Sequence, residues 1–175
     1  MIDTNVILLA GTKVSAVPDE LLKCFENCIL FLKGMIDSGD TVLIDDSGLI
    51  LREYDNVFRV NAYPNNATIF YEYLMGNLVF QHIEERKDYT YFPYPESDEL
   101  KGFDRADRKF ISVAFGYKHK IPIVEATDSK WWGIKNELRK FGIDIVFVDE
   151  DYIMDKYQQK MGKLTISENW DETIS

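Results

Sequence analysis

Ile121-Pro122-Ile123-Val124-Glu125-Ala126-Thr127-Asp128-Ser129 is the stretch whose reading decides the fold. A short apolar run closes on polar residues, the pattern of a parallel strand buried on both faces. Ile2 to Leu9, Thr41 to Ile44 and Ile143 to Val148 repeat it. Helical segments lie between. After Pro18-Asp19 as a start signal, Leu21, Leu22, Phe25, Cys28, Ile29, Leu32 and Met35 recur at helical spacing. Ser47 to Phe58 and Asn65 to Glu85 read as two more helices, with Ser47 and Asn65 as caps and Pro64 opening the second. Asp88 to Phe103, with aromatic residues between Pro93 and Pro95, reads as a loop with room for a short strand. Asp104 to Tyr117 and Lys130 to Phe141 are helical again, the first with Phe110, Ile111, Ala114 and Tyr117 as its buried stripe.

Strands alternating with helices require right-handed crossovers and a parallel sheet covered on both sides. The predicted fold class is therefore α/β, a three-layer α/β/α sandwich with a central parallel sheet. Residues 1–150 are read as one domain, and 151–175, polar and without a long apolar stripe, as a partly ordered C-terminal tail. No repeat or low-complexity segment interrupts the chain.

A chain of 175 residues can bury a core large enough to fold without disulfides or a structural metal. Apolar residues at 46% and charged residues at 29% give no disordered bias. Cys24 and Cys28 lie four apart on one face of an apolar helix and read as reduced, buried thiols. His82 and His119 are too few, and wrongly spaced, to complete a zinc site with them. No apolar run approaches the roughly 20 residues of a membrane span, and the N-terminus lacks a basic segment followed by an apolar one. A cytoplasmic protein is the expectation.

A net charge of −10 argues at first against nucleic acid. The distribution answers that objection. Residues 101–140 carry ten Lys or Arg against five Asp or Glu, a local excess of +5 that leaves −15 on the remainder.

In open parallel sheets, ligands bind beyond the carboxyl ends of the strands, and acidic residues gather at those positions here. Asp3 lies in the first strand run, Asp45 and Asp46 end the second, and Asp128 follows the strand Ile121 to Glu125. Asp107 begins the stripe that continues through Ile111 and Ala114, so its carboxylate points along the face packed on the sheet. Asp104, three residues earlier, shares that side, and Glu53 lies in the helix after the second strand. Taken singly, each has a plain role as a cap, a turn residue or half of an ion pair. Brought together, carboxylates repel unless cations stand between them, and oxygen-only ligands suit Mg²⁺ or Mn²⁺. Phosphodiester hydrolysis uses such ions.

These pieces together resemble the PIN domain family of nucleases. Ile2-Asp3-Thr4-Asn5-Val6 looks like its first motif, Glu53 is similar in position to the helical glutamate of the second, Asp107-Arg108-Lys109-Phe110-Ile111-Ser112-Val113-Ala114 resembles the third, and Thr127-Asp128-Ser129-Lys130-Trp131 the fourth. Ile44-Asp45-Asp46 resembles a bacterial single-domain branch, and the likeness runs from Met1 to about Val148. It implies Mg²⁺- or Mn²⁺-dependent hydrolysis of nucleic acid, with a single-stranded endoribonuclease of toxin or defence type as the favoured activity. Asp3, Glu53, Asp107 and Asp128 would be the catalytic metal ligands, joined by Asp104, with Asn5 and Thr127 shaping the site. Arg105, Arg108, Lys118, Lys120 and Lys130 are the candidates for the substrate backbone. The implied partners are nucleic acid, RNA before DNA, and a protein inhibitor of the antitoxin kind; a homodimer is compatible with the chain, a membrane partner is not. The alternatives are a catalytically silent PIN-like binding module and a DNA-directed, structure-specific nuclease. A receiver domain and a haloacid-dehalogenase-type phosphatase fit worse, the second because position 5 is Asn5 where an Asp-x-Asp opening needs an aspartate.

Overall fold

A computed structural model describes residues 1–60 and 66–171, with side chains for 1–59 and 66–162. The chain runs through α1 (Thr4–Gly11), α2 (Leu22–Ser38), β1 (Val42–Asp45), α3 (Leu49–Val60), α4 (Asn66–Met75), β2 (Leu78–Gln81), β3 (Glu84–Arg86) and β4 (Thr90–Phe92). It continues through α5 (Asp98–Lys101), α6 (Arg108–Gly116), β5 (Ile123–Glu125), α7 (Lys130–Lys140), β6 (Ile145–Phe147) and α8 (Glu150–Asp171). Single 3₁₀ turns fill short connections. The class is mixed α/β.

The strands form three small pairs among the described residues. β1 pairs with β2 and β5 with β6, both parallel, while β3 and β4 make an antiparallel hairpin. Met1 to Asp3 adds one parallel bridge, Ile2 opposite Val124. Asp3 N–H donates to the Val124 carbonyl at 2.8 Å, and Val124 N–H to the Met1 carbonyl at 2.9 Å. Alternate residues of an extended segment turn their polar groups to opposite sides, so the Ile2 carbonyl faces away from β5. The Tyr54 hydroxyl of α3 donates to it at 2.5 Å. A side chain therefore takes the bond that a neighbouring strand would have supplied, and β1–β2 is not hydrogen-bonded into β5–β6.

Two sequence readings change. The run Ile2 to Leu9 is extended only as far as Asp3, after which Thr4–Gly11 is helical, with Asp3 as its N-cap. An apolar run this short reads equally as a buried strand or a buried helix, and Val6, Ile7, Leu9 and Ala10 are all buried. The helix expected over Asn65 to Glu85 stops at Met75, where Gly76-Asn77 ends it and β2 begins. Its proposed start, Pro64 and Asn65, lies outside the described residues. The C-terminal stretch is helical through Asp171, and Ile153 of its second turn is fully buried.

One core joins these elements. β1 is buried along its whole length, as expected of a strand covered on both faces. Phe110, Ile111 and Ala114 of α6 pack into the same core as Trp131 of α7 and Cys24, Phe25, Cys28 and Leu32 of α2. Both cysteines are free thiols.

Candidate active site

The site forms where β5 ends. Asp3 is only 6% exposed, and its Oδ1 accepts the Asn5 N–H at 3.1 Å, capping α1. Glu125, the last residue of β5, is fully buried. Its Oε1 accepts the N–H groups of Ala126, Thr127 and Asp128 at 2.9, 3.0 and 2.8 Å. The Asn5 amide adds a fourth bond, donating to the same oxygen at 2.5 Å, while Asn5 Oδ1 accepts the Ala126 N–H at 3.0 Å. One glutamate oxygen thus holds the turn that presents Asp128. Glu125 Oε2 has no hydrogen-bond partner among the described residues.

Two lysines complete the cluster. Lys130, in the first turn of α7, places its Nζ 2.6 Å from Asp104 Oδ2, 2.5 Å from Asp107 Oδ2 and 2.9 Å from Asp128 Oδ2. On the other flank, Lys109 of α6 is 4% exposed and lies 2.6 Å from Glu53 Oε1. Glu53 Oε2 accepts from the Thr4 hydroxyl at 3.0 Å. Segments far apart in sequence therefore deliver Asp3, Glu53, Asp104, Asp107, Glu125 and Asp128 to one region.

The electrostatics record this crowding. Burial raises the Asp3 carboxyl to about 7, against the opposing bond from Asn5, and the charges of Asp107 and Asp128 push in the same direction as burial. Glu125 is pushed up to about 9, first by burial and then by the Asp3 charge, despite the N–H groups it accepts. Asp107 is raised by burial, with Lys130 pulling the other way. Asp104 is lowered by its hydrogen bond with Lys130. Lys130 loses to burial but gains more from its three carboxylates, so its ammonium is held charged more firmly than usual.

The other candidates fall elsewhere. Asp45 caps α3: its Oδ2 accepts from the Ser47 hydroxyl at 2.6 Å and Leu49 N–H at 2.7 Å, and its Oδ1 from Ile50 N–H at 2.8 Å. Asp46 pairs with His82 at 2.8 Å on the surface. Arg108 donates to the carbonyls of Phe103 and Lys101, at 3.0 and 2.5 Å, and so braces the loop before α6. Arg105 is exposed. Lys118 and Lys120 precede β5, and Lys120 lines a hollow with Gly142 and Asp144 at the amino ends of β5 and β6. That is the opposite end of the strands from Asp128.

Glu125 was missed as a site residue although its signal is plain, a charge closing an apolar buried strand. Lys109 stands inside the quoted third motif, but its burial against Glu53 depends on how α3 meets α6. A cleft of about 680 Å³ opens beside the cluster, lined by Asn5, Thr127, Asp128, Ser129, Lys156, Gln159 and Lys160. Lys156 donates to the Thr127 carbonyl, so α8 is part of the site's wall.

Among the described residues, no three potential ligands are close enough to chelate an ion as they stand. The Lys130 ammonium stands among Asp104, Asp107 and Asp128, and Lys109 lies against Glu53. The donor set still fits a hard cation: the groups are oxygens alone, Glu125 Oε2 is buried next to the Asp3 carboxyl, and Asp107 Oδ2 is buried against the Lys130 ammonium. Comparison with family models, curated proteins and solved structures finds no match for this chain.

Proposed function

We propose that this chain is a PIN-like, metal-dependent phosphodiester hydrolase whose substrate is single-stranded RNA. The observation that carries the reading is the convergence of Asp3, Glu53, Asp107 and Asp128, with Asp104 and Glu125, beyond the carboxyl end of β5, where buried acids carry raised proton affinities. The parallel β1–β2, β5–β6 and Ile2–Val124 pairings, with helices between them, support a three-layer α/β/α arrangement as the finer description. No helix among the described residues is long and apolar enough to cross a membrane. That is in keeping with a substrate met in the cytoplasm.

Asp3, Glu53, Asp107 and Asp128 would hold Mg²⁺ or Mn²⁺, and Asp104 would extend the ligand set. A cation bound there supplies a nucleophilic water at neutral pH and neutralises charge on the phosphate. Glu125 fixes the 126–128 turn, which orients Asp128, and Asn5 ties that turn to α1. Lys130 lies against Asp107 and Lys109 against Glu53, so each ammonium offsets part of the carboxylate charge when no cation is bound.

A second reading, a PIN-like binding module without catalysis, is favoured by one observation: a single ammonium already contacts three of the carboxylates. The discriminating experiment incubates the protein with labelled single-stranded RNA and DNA, in Mn²⁺ or in chelator. Cleavage that needs Mn²⁺ and prefers RNA is the expected result. Asp107→Asn should lower it by more than about a hundredfold, beyond the 10–100-fold cost of losing an outer partner. Activity within tenfold of the parent would reject Asp107 as a ligand, and metal-stimulated binding of RNA without cleavage would favour the silent module.

A further inference from the structure

We infer that helix α8 forms one wall of a groove for the phosphate backbone of single-stranded RNA, with Lys156, Gln159 and Lys160 as its contacts; the inference rests on the nuclease reading of the adjoining carboxylates. The sequence pointed to Arg105, Arg108, Lys118, Lys120 and Lys130 for this task, and of these Lys118 and Lys120 lie at the amino end of β5. A substrate must reach Asp128 at the other end.

The cleft beside Asp128 has the composition that a backbone requires. Asn5, Thr127 and Ser129 line one side, and Lys156, Gln159 and Lys160 line the other from α8. The three α8 residues fall at i, i+3 and i+4 and therefore share a face of the helix. Lys156 and Lys160 stand one turn apart, about 6 Å along the axis, a spacing that suits neighbouring phosphates of an extended strand. Lys156 uses one of its three donors on the Thr127 carbonyl, and its ammonium lies 5.5 Å from the centre of the Tyr152 ring, which holds it at the edge of the cleft. Lys160 is exposed and makes no ion pair among the described residues. The local ammonium charge counters the overall charge of −10 where a polyanion approaches the acidic cluster.

The test measures binding of a fluorescein-labelled 12-nucleotide uridine-rich RNA to the full chain across a salt series, in chelator so that the probe stays intact. Lys160→Gln should weaken binding and reduce the log–log salt slope by about 0.7, the release expected for one single-strand phosphate contact. Lys156→Met should do the same, and the exposed Lys160 covers the case in which the Lys156 variant loosens α8. Lys118→Glu with Lys120→Glu should leave the slope unchanged. Equal slopes for the parent and both α8 variants would overturn the groove, as would failure of the parent to bind the RNA. RNA binding with the expected slopes but no Mn²⁺-dependent cleavage leaves the groove standing and defeats the nuclease reading, so the two failures are distinguishable.

Discussion

Lys130 Nζ lies 2.5 Å from Asp107 Oδ2, so the ammonium of α7 covers a buried carboxylate oxygen. The same ammonium reaches Asp104 and Asp128. It occupies the position from which a cation would neutralise these acids, and the two would compete for the same charge. Lys130→Met should therefore have opposite effects on the two states. Metal-free stability should fall by about 1–3 kcal/mol, below the 3–5 typical of a fully buried pair because the lysine remains 27% exposed. Mn²⁺ affinity, measured by titration calorimetry, should rise on the order of tenfold, equivalent to 1.4 kcal/mol. Unchanged or weaker Mn²⁺ binding would mean that Lys130 does not share its place with a cation.

The turn after β5 gives a separate test. Glu125 Oε1 is the acceptor for three consecutive N–H groups, so Glu125→Ala leaves those donors without their partner near the base of the site. Ala126 N–H keeps its bond to Asn5 Oδ1, so two donors are left unsatisfied, and at about 1–3 kcal/mol for each a loss of about 2 kcal/mol or more is expected. Glu125→Gln keeps a side-chain oxygen and should retain most of the stability. Urea denaturation compares the two, and equal losses would show that the turn does not depend on that oxygen.

How much of this was legible in the sequence depends on what each signal required. Asp3, Asp107 and Asp128 could be singled out because each lies next to an apolar pattern that predicts burial. Glu53 needed the resemblance, since nothing in Leu51-Arg52-Glu53-Tyr54 marks its contact with Thr4 or Lys109. The strand at Leu78 was hidden because the apolar spacing of α4 continues past Gly76-Asn77, although glycine followed by asparagine is a helix-stop signal. The short reach of the first extended segment could have been inferred from Asp3-Thr4-Asn5, whose acidic first residue is a good N-cap. The role of α8 was not legible. Its apolar content is low, and the value of Lys156 and Lys160 lies in the cleft they face, a property of tertiary placement.

Asp3 and Glu125 make the metal-free protein sensitive to pH, and the sign follows from their raised proton affinities. An acid with a higher pKa in the folded state binds its proton more tightly there, so stability falls as pH rises between the unfolded and folded values. For Asp3 that window runs from 3.8 to about 7, and for Glu125 from 4.5 to about 9. Asp3→Asn stays neutral and can still cap α1. Its Tm in chelator, relative to the parent, should become more favourable between pH 5 and pH 8. The ligands must be deprotonated to bind, so Mn²⁺ affinity of the parent should rise over the same range. A constant Tm difference across that range would show that Asp3 does not titrate there.

The chemistry of cleavage makes the last prediction. If the carboxylates serve a cation that activates water, the attack comes from water and the neighbouring 2′-hydroxyl takes no part. The leaving group is then the 3′ oxygen, and the products carry a 5′-phosphate and a 3′-hydroxyl. The alternative route needs a general base near the 2′-hydroxyl, most often a histidine. His82 is engaged with Asp46 on the surface, and His119 lies against Tyr117 before β5, at the end away from Asp128. Neither belongs to the cluster. A substrate with a single 2′-deoxy residue at the cut site should therefore still be hydrolysed, since the attacking group is water. End-labelling separates the routes, because a 5′-phosphate blocks kinase until phosphatase is added, whereas a 2′,3′-cyclic product leaves a 5′-hydroxyl that labels at once. A cyclic phosphate, or full activity in chelator, would place the reaction outside the carboxylate cluster.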